Sequence, residues 1–423
     1  MLSAANLSMV STAITGVGFF LATSLVSVLL TTGNQSKYFM VMSLLALQSA
    51  FDLGATPILM TNIAYRRRNR QVIQGLSDDV KAVVRLSLRY SVVCTISYII
   101  FLSFVYLVPF KINSISMLEA FALSVSSGAS MLATFICAFF EGLGFIRKSY
   151  VIRFLMNVSR TAVLLLALLG GSGTYAITIS VFVSAIIGWI GLVLVGDLPQ
   201  LWRVGFGHDN AREPGHINWF NCIFPSQWRS SISWLSAYII YQGPIWLAFS
   251  KLDSKESSRF SLSWNIFMGL STLGSGILST SAASISTLIG SGSVVCAVEV
   301  WKRKSIILVM FSATTGVFFI LALLAAPQKW LLSDRFLGLL EMFFLLIFSI
   351  ANQVIYCAVI IGRSGGREPY YLHYLIWVIM LIASYGLSIN VITNPFLIVL
   401  LCTVSSLIMV PLFLKTGKNA IPI

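Results

Sequence analysis

Charged residues are scarce in this chain, and acidic residues are scarcer than basic ones. Only 10% of the 423 residues are charged, with 14 Asp and Glu against 28 Lys and Arg, while 57% are hydrophobic. Because soluble domains carry about 25% charged residues, an ordinary soluble enzyme is excluded. The net charge is +14. The basic residues lie at the ends of apolar runs, where they can contact anionic lipid headgroups, and they do not form the continuous basic face of a nucleic-acid-binding protein. We therefore expect membrane lipids as partners and no nucleic acid.

Residues that serve metal, redox or nucleotide chemistry are also few. The 3 His do not cluster and the 6 Cys show no C-x-x-C spacing, so neither a metal site nor a disulfide framework is predicted. The segment 142–149 holds the Gly, Lys and Ser of a phosphate-binding loop, but position 147 is Arg where that loop requires Gly. We expect no cofactor, no metal and no enzymatic activity.

Long apolar runs are abundant, and there are twelve of them. A run of about 20 apolar residues can cross roughly 30 Å of hydrocarbon only as a helix. The predicted fold is an all-α integral membrane protein, with about 12 transmembrane helices in two six-helix bundles around a central cavity. The predicted helices cover 8–30, 38–64, 83–108, 118–140, 150–170, 174–196, 227–250, 260–286, 304–326, 336–361, 371–390 and 395–414.

The longest non-hydrophobic stretch, 197–216, lies midway along the chain. It predicts an N-terminal six-helix bundle over 1–200, a cytoplasmic linker over 201–216 and a C-terminal six-helix bundle over 217–423. Because both halves begin on the same side, they are expected to be parallel repeats related by an axis along the membrane normal.

The basic residues fix the orientation of these helices. They gather in every second gap: with the N-terminus in the cytoplasm, 20 of the 28 lie at cytoplasmic ends, 7 lie on the opposite side, and Arg160 lies inside a helix. Basic residues favour the cytoplasmic side, so both termini are predicted to be cytoplasmic. Four acidic residues near helix ends are expected to be solvated: Glu119, Glu141, Glu299 and Glu341.

The second predicted helix carries a carboxylate near its middle. Gln48, Asp52 and Thr56 are spaced four apart, so they share one helix face. A charge near the bilayer centre costs about 2.5–3.5 kcal/mol on insertion scales, so Asp52 needs a partner or a wet cavity. Two interpretations stay open: a cavity carboxylate that balances an arginine or carries protons, and a structural ion pair.

The fifth predicted helix carries Arg153, Asn157 and Arg160 on one face. At 1.5 Å per residue, Arg160 lies roughly 15 Å from the cytoplasmic end. Its charge cannot be shed, so it is either a cationic cavity wall for a phosphate or acidic sugar or one side of a salt bridge, for which Asp52 is the candidate. Arg153 either joins that wall or extends to the interface.

A stripe of amides, hydroxyls and aromatic rings begins the seventh predicted helix. Such a face suits sugars, which have hydroxyl rims and apolar ring faces. Alternatively, Trp228 is an interfacial belt residue and Tyr238 bonds a neighbouring carbonyl. The candidate cavity residues here are Gln227, Arg229, Ser231, Trp234, Tyr238, Tyr241 and Gln242.

Three short motifs resemble the Wzx-type polysaccharide flippases of the multidrug/oligosaccharidyl-lipid/polysaccharide exporter superfamily. They are Asp52-Leu53-Gly54 before the basic run 66–68, the turn 140–144 before a basic pair, and 225–229 with 233–238. The last is similar to a Pro-x-Gln-Trp-Arg/Lys…Ser-Trp-x-x-x-Tyr stretch. Two departures are Ala237, where Gly is common, and a first helix without a basic residue. The second departure argues against a murein precursor as substrate.

The resemblance implies a multi-pass protein of the bacterial inner membrane. It would move an undecaprenyl-pyrophosphate-linked oligosaccharide, such as an O-antigen or other surface polysaccharide repeat unit, by alternating access. The implied partners are this lipid-linked substrate and the polysaccharide polymerase machinery, in the setting of lipopolysaccharide biosynthesis. Two alternatives remain: a multidrug cation exporter of the same superfamily, which would have cavity carboxylates and few cavity arginines, and a membrane-embedded glycan polymerase or ligase, which would need a large periplasmic loop.

The predicted orientation can be tested by thiol labelling. Single cysteines placed at Asn34 and Asn394 of a cysteine-free variant should react with an impermeant reagent in intact cells. Cysteines at Asn69 and Asn419 should react only after permeabilisation, because those positions are predicted to face the cytoplasm. The reverse pattern would overturn the orientation.

Overall fold

The computed structural model describes residues 4–52, 56, 78–107, 117–194, 224–290, 292–325, 335–364, 368–388 and 394–419. Within these ranges the regular secondary structure is helical throughout. A chain this apolar must satisfy its backbone hydrogen bonds internally, and helices do so one segment at a time. The predicted all-α membrane fold is therefore confirmed.

Each of the twelve predicted helices is present where the structure describes it. Two short helices, α2 and α3, occupy the first part of the second predicted helix, and its remainder to residue 64 lies outside the described residues. The helices are α1 (Ala4–Leu29), α2 (Thr32–Ala46), α3 (Gln48–Phe51), α4 (Asp78–Leu107), α5 (Met117–Gly142), α6 (Ile146–Leu169), α7 (Tyr175–Leu194), α8 (Phe224–Lys251), α9 (Ser254–Gly290), α10 (Val294–Ala325), α11 (Leu339–Arg363), α12 (Tyr371–Ser388) and α13 (Pro395–Asn419).

Several helices are long and apolar enough to cross a membrane. By length and composition seven qualify among the described residues, namely α4, α5, α6, α7, α10, α11 and α13, and the segments 14–29 and 371–387 are shorter apolar helices. The remaining long helices, α8 and α9, are richer in polar residues. A multi-pass membrane protein follows from this pattern.

The chain forms two compact units. The first comprises Met1–Ile14 and Leu44–Trp234, and the second comprises Thr15–Ser43 and Leu235–Ile423. These units are defined by packing, so helices α1, α2 and α8 contribute residues to both. The predicted division by chain order, into 1–200, 201–216 and 217–423, stays a prediction.

Part of one packing pattern recurs in both units, because the fourth predicted helix of each half packs against the third and the sixth. In the first unit α5 packs against α4, α6 and α7, and in the second unit α11 packs against α9, α10 and α13. Glycines permit close approach in each: Gly188 of α7 faces Met156 of α6, and Gly316 of α10 faces Leu346 of α11. This recurrence is what two repeats of one helical bundle would produce.

A buried amide secures the turn between α1 and α2. Gln35 is fully buried, and its Nε2 lies 3.0–3.2 Å from the carbonyls of Val26, Ser27 and Leu30 at the end of α1. Its Oε1 accepts a hydrogen bond from the Ser258 hydroxyl of α9. The last carbonyls of a helix have no partner within it, so Gln35 both terminates α1 and attaches the turn to α9.

Replacing Gln35 by Ala should lower the stability of the protein. The change leaves buried carbonyls and the Ser258 hydroxyl without this partner, a loss of about 1–3 kcal/mol. The readout is the midpoint of thermal unfolding of the purified protein in detergent. Asn34→Ala, at the exposed neighbouring position, is the matched control. Equal midpoints for the two variants would contradict the assigned role of Gln35.

Candidate functional site

The second predicted helix is broken next to its carboxylate. Helix α2 ends at Ala46, a turn occupies Leu47, and α3 ends at Phe51. The Asp52 carboxylate accepts a hydrogen bond from the backbone N–H of Thr56 at 3.0 Å. Discontinuous helices of this kind often form the binding sites of membrane transporters. Asp52 therefore bonds a backbone N–H four residues further on and remains a half-buried charge. Gln48, one turn earlier, is also half-buried.

Helix α4 presents a polar and aromatic stripe of Tyr90, Cys94 and Tyr98 to this region. The Asp52 carboxylate interacts electrostatically with the Tyr90 hydroxyl and the Cys94 thiol. The ring of Phe51 packs edge-on against Tyr98, with centroids 5.5 Å apart. Sequence reasoning missed these three residues. Their spacing of four places them on one helix face and could have indicated the stripe. The apolar residues between them made the segment look like an ordinary membrane span.

Arg160 adjoins the same stripe from α6. It is half-buried, and its charge acts on the hydroxyl of Tyr98. One turn away, the Asn157 side chain donates a hydrogen bond to the Ser11 hydroxyl at 2.9 Å. Tyr98 thus contacts the residue next to Asp52 and feels the charge of Arg160. The first unit brings an anionic and a cationic group to one stripe of α4, and the predicted Asp52–Arg160 pairing stays a prediction.

Arg153 is held in an ion pair. Its guanidinium Nη2 lies 3.1 Å from Oε1 of Glu141, and the Ser149 hydroxyl donates to the same oxygen at 2.7 Å. The Glu141 side chain is only 8% exposed. The expectation that Glu141 is solvated was wrong because it lies at the α5–α6 turn, where α6 covers it. Glu119 is buried as well, at 6% exposed.

The second unit contains a similar ion pair with its charges reversed. Arg363, the last residue of α11, binds Glu368 ahead of α12 through two contacts of 2.6 and 3.1 Å. The glutamate is again 8% exposed, and the two arginine side chains are 29% and 32% exposed. Both pairs fasten the turn between the fourth and fifth predicted helices of their repeat.

The candidate stripe of α8 divides between the two units. In the first unit, Gln227 is buried with its amide beside the Tyr90 hydroxyl, and its Oε1 has no hydrogen-bond partner among the described residues. Arg229 is exposed and lies over the Trp228 ring, 5.5 Å from its centroid. Trp234 is 36% exposed. Gln227 therefore belongs to the polar region around Tyr90, while Arg229 contacts an aromatic neighbour on the surface of this unit.

The later part of the stripe lies in the second unit. The Tyr238 hydroxyl donates to the carbonyl of Ser43 at 3.1 Å, which is the neighbour-bonding alternative that the sequence left open. The Tyr241 hydroxyl donates to Oδ1 of Asn352 at 3.1 Å. Asn352 and Gln353 on α11 are buried, at 5% and 4% exposed, and sequence reasoning missed both. Gln242 is half-buried, as is Ser231 in the first unit.

The described residues contain no group of His, Cys, Asp and Glu that could hold a metal ion. Five cysteines among them are free, of which only Cys296 is exposed. Cys222 lies outside the described residues. The side chains around Tyr90 and Tyr98 offer hydrogen-bonding groups together with the Arg160 guanidinium and the Asp52 carboxylate.

Comparison with known proteins gives the fold a context. No family model and no curated protein matches the sequence. Among solved structures, an outward-facing multidrug resistance MATE family transporter of the MOP superfamily superimposes with a TM-score of 0.64 at 14% identity, covering 99% of this chain and 95% of that one. The inward-facing form gives 0.65 at 13% identity, covering 96% and 94%.

A MOP superfamily transporter from Pyrococcus furiosus gives a TM-score of 0.62 at 14% identity, covering 99% of this chain and 94% of that one. It is described as having a binding pocket of reverse polarity that suggests a different function. At these identities the likeness concerns the fold alone. The chain therefore shares the overall fold of these MOP superfamily transporters.

Proposed function

We propose that this protein is a flippase that moves a lipid-linked oligosaccharide from the cytoplasmic to the outer leaflet of the bacterial inner membrane. The observation that carries the proposal is the half-buried guanidinium of Arg160. It lies 14 residues into α6, about 21 Å along the helix from Ile146. A cation this deep is costly and usually functional, and it suits a pyrophosphate or acidic sugar.

The neighbours of Arg160 support an anionic substrate with a glycan attached. Tyr90 and Tyr98 provide hydroxyls and ring faces, and Gln227 provides an amide oxygen without a protein partner among the described residues. Buried polar atoms are normally satisfied, so this oxygen is available to water or to a sugar hydroxyl. Arg153, by contrast, is committed to Glu141 and contributes less to this wall.

A multidrug cation exporter is the second candidate, and the structural likeness to MATE transporters favours it equally. Its specific support here is Asp52, a half-buried carboxylate beside tyrosines that could receive a cation. The reverse-polarity neighbour from Pyrococcus furiosus indicates that this fold also accommodates pockets of the other sign. We favour the flippase because Arg160 would repel a cation from the same wall.

Deletion of the protein in its host separates the two candidates. A flippase leaves lipid-linked glycan accumulated on the cytoplasmic leaflet and leaves ethidium efflux unchanged. An exporter gives the opposite pair of results. In this proposal both termini lie in the cytoplasm. The polysaccharide polymerase machinery is then a partner of the protein in the membrane. Transport is driven either by an ion gradient, with Asp52 as the coupling group, or by consumption of product on the far side.

The charge at Arg160 is required for this function. Arg160→Ala should abolish surface polysaccharide even after correction for the amount of protein in the membrane, and Arg160→Lys should retain part of the output, because its charge survives without the planar fork. Surface polysaccharide at matched expression is the measurement. Arg303→Ala, at an exposed position of α10, serves as the control. Wild-type output from Arg160→Ala would remove Arg160 from the mechanism.

Variants at Asp52 distinguish its two possible roles, as the partner of Arg160 in an ion pair and as a site that carries protons. If Asp52 neutralises Arg160, either single change leaves an unpaired charge and lowers protein levels. Asp52→Asn combined with Arg160→Gln should then restore abundance in the membrane. This is the outcome that we expect. A double variant no more abundant than the worse single variant would refute the pairing. In that case a normally folded Asp52→Asn that has lost transport driven by a pH gradient would identify a proton site.

A further inference from the structure

The carbonyl of Ser43 is bonded to another helix instead of along its own. In a regular α-helix the N–H of Leu47 would donate to this carbonyl. Here the Leu47 N–H donates to the Leu44 carbonyl at 3.1 Å, one residue nearer, and the Tyr238 hydroxyl of α8 donates to Ser43 at 3.1 Å. A side chain inserted into the helical ladder is a recognised cause of a bend. Helix α2 is interrupted at this point, with a turn at Leu47.

The surroundings leave this carbonyl dependent on protein donors. Ser43, Leu44 and Leu47 are buried, at 1%, 0% and 8% exposed. In hydrocarbon an unsatisfied backbone group costs several kcal/mol, so the carbonyl is always bonded. The Tyr238 hydroxyl satisfies it when α2 is bent, and the Leu47 N–H would satisfy it if α2 were straight. In the bent form the Tyr238 hydroxyl and the Leu47 N–H are both bonded, whereas in the straight form Leu47 bonds Ser43 and Tyr238 gives up this bond. The bent form is therefore favoured by one net hydrogen bond, roughly threefold to tenfold, and the straight form stays accessible.

We propose that Tyr238 is a positioning residue whose hydroxyl holds the bend of α2, and that this bond exchanges with the Leu47 bond as the transporter cycles. The break lies where the chain passes from the second compact unit to the first, between Ser43 and Leu44. Asp52 follows Leu47 by five residues, so the interruption lies close to this carboxylate along the chain. The exchange does not depend on what the protein transports.

Hydrogen–deuterium exchange of the purified full-length protein tests the proposal. Tyr238→Phe keeps the ring and removes only the hydroxyl. The Leu47 amide should then form the regular bond to Ser43, which is better aligned than its present short-range bond. We expect peptides within 40–51 to exchange roughly threefold to tenfold more slowly, the factor that one net hydrogen bond supplies. A merely structural loss would act in the opposite direction, because destabilised helices exchange faster.

Tyr241→Phe is the matched control. It removes a hydroxyl from the same helix, three residues further on, whose partner is Asn352 and not α2. Exchange within 40–51 should be unchanged in this variant. Unchanged or faster exchange of the same peptides in Tyr238→Phe would overturn the proposal.

A second measurement keeps the proposal testable if Tyr238→Phe accumulates poorly. Spin labels at Asn34 and Gln48 of a cysteine-free variant would have backbones about 21 Å apart along a straight helix. The parent should populate both this separation and a different one for the bent form. Leu47→Pro removes the competing N–H and should populate the bent form alone. A single separation shared by the parent and Leu47→Pro would show that α2 does not straighten, and would overturn the exchange.

Discussion

Inside a membrane every backbone carbonyl and N–H needs a protein partner, and this requirement governs each irregularity of the fold. Where a helix ends or breaks, a side chain supplies the missing bond. Gln35 bonds the last carbonyls of α1, Asp52 bonds the Thr56 N–H, and Tyr238 bonds the Ser43 carbonyl. Because water cannot replace them in hydrocarbon, these polar residues fix where the chain can turn or bend.

The same requirement applies more strongly to charge. Arg153 and Arg363 are each paired with a buried glutamate, and both pairs lie at turns between helices. Arg160 lies within the membrane-spanning helix α6 and Asp52 directly follows α3, and both lie near tyrosine side chains. Charge paired at a turn fastens two helices together. Charge placed within a span is retained at a cost, and the polar region around Tyr90 and Tyr98 is therefore where we place the substrate.

The sequence was sufficient to predict where the helices lie, but not which side chains bond between them. Hydropathy located all twelve segments because the length of a span is set by the membrane, and helical periodicity placed Arg153, Asn157 and Arg160 on one face. The burial of Glu141 could not be read from the sequence, since it depends on how α6 turns back over α5. The partner of Tyr238 is 195 residues away, so only the folded chain reveals it. The roles of the remaining candidate residues are still predictions.

The two ion pairs also bear on how the chain evolved. In one half the acidic residue ends the earlier helix, and in the other half the arginine does so. If the halves descend from one duplicated bundle, the order of charges was inverted in one of them. Reversing the charge of either member alone would place two like charges side by side at the turn. Such a change is destabilising, and selection would remove it. The inversion therefore required paired substitutions or a neutral intermediate, and a turn moved between the halves would have to carry both members of its pair.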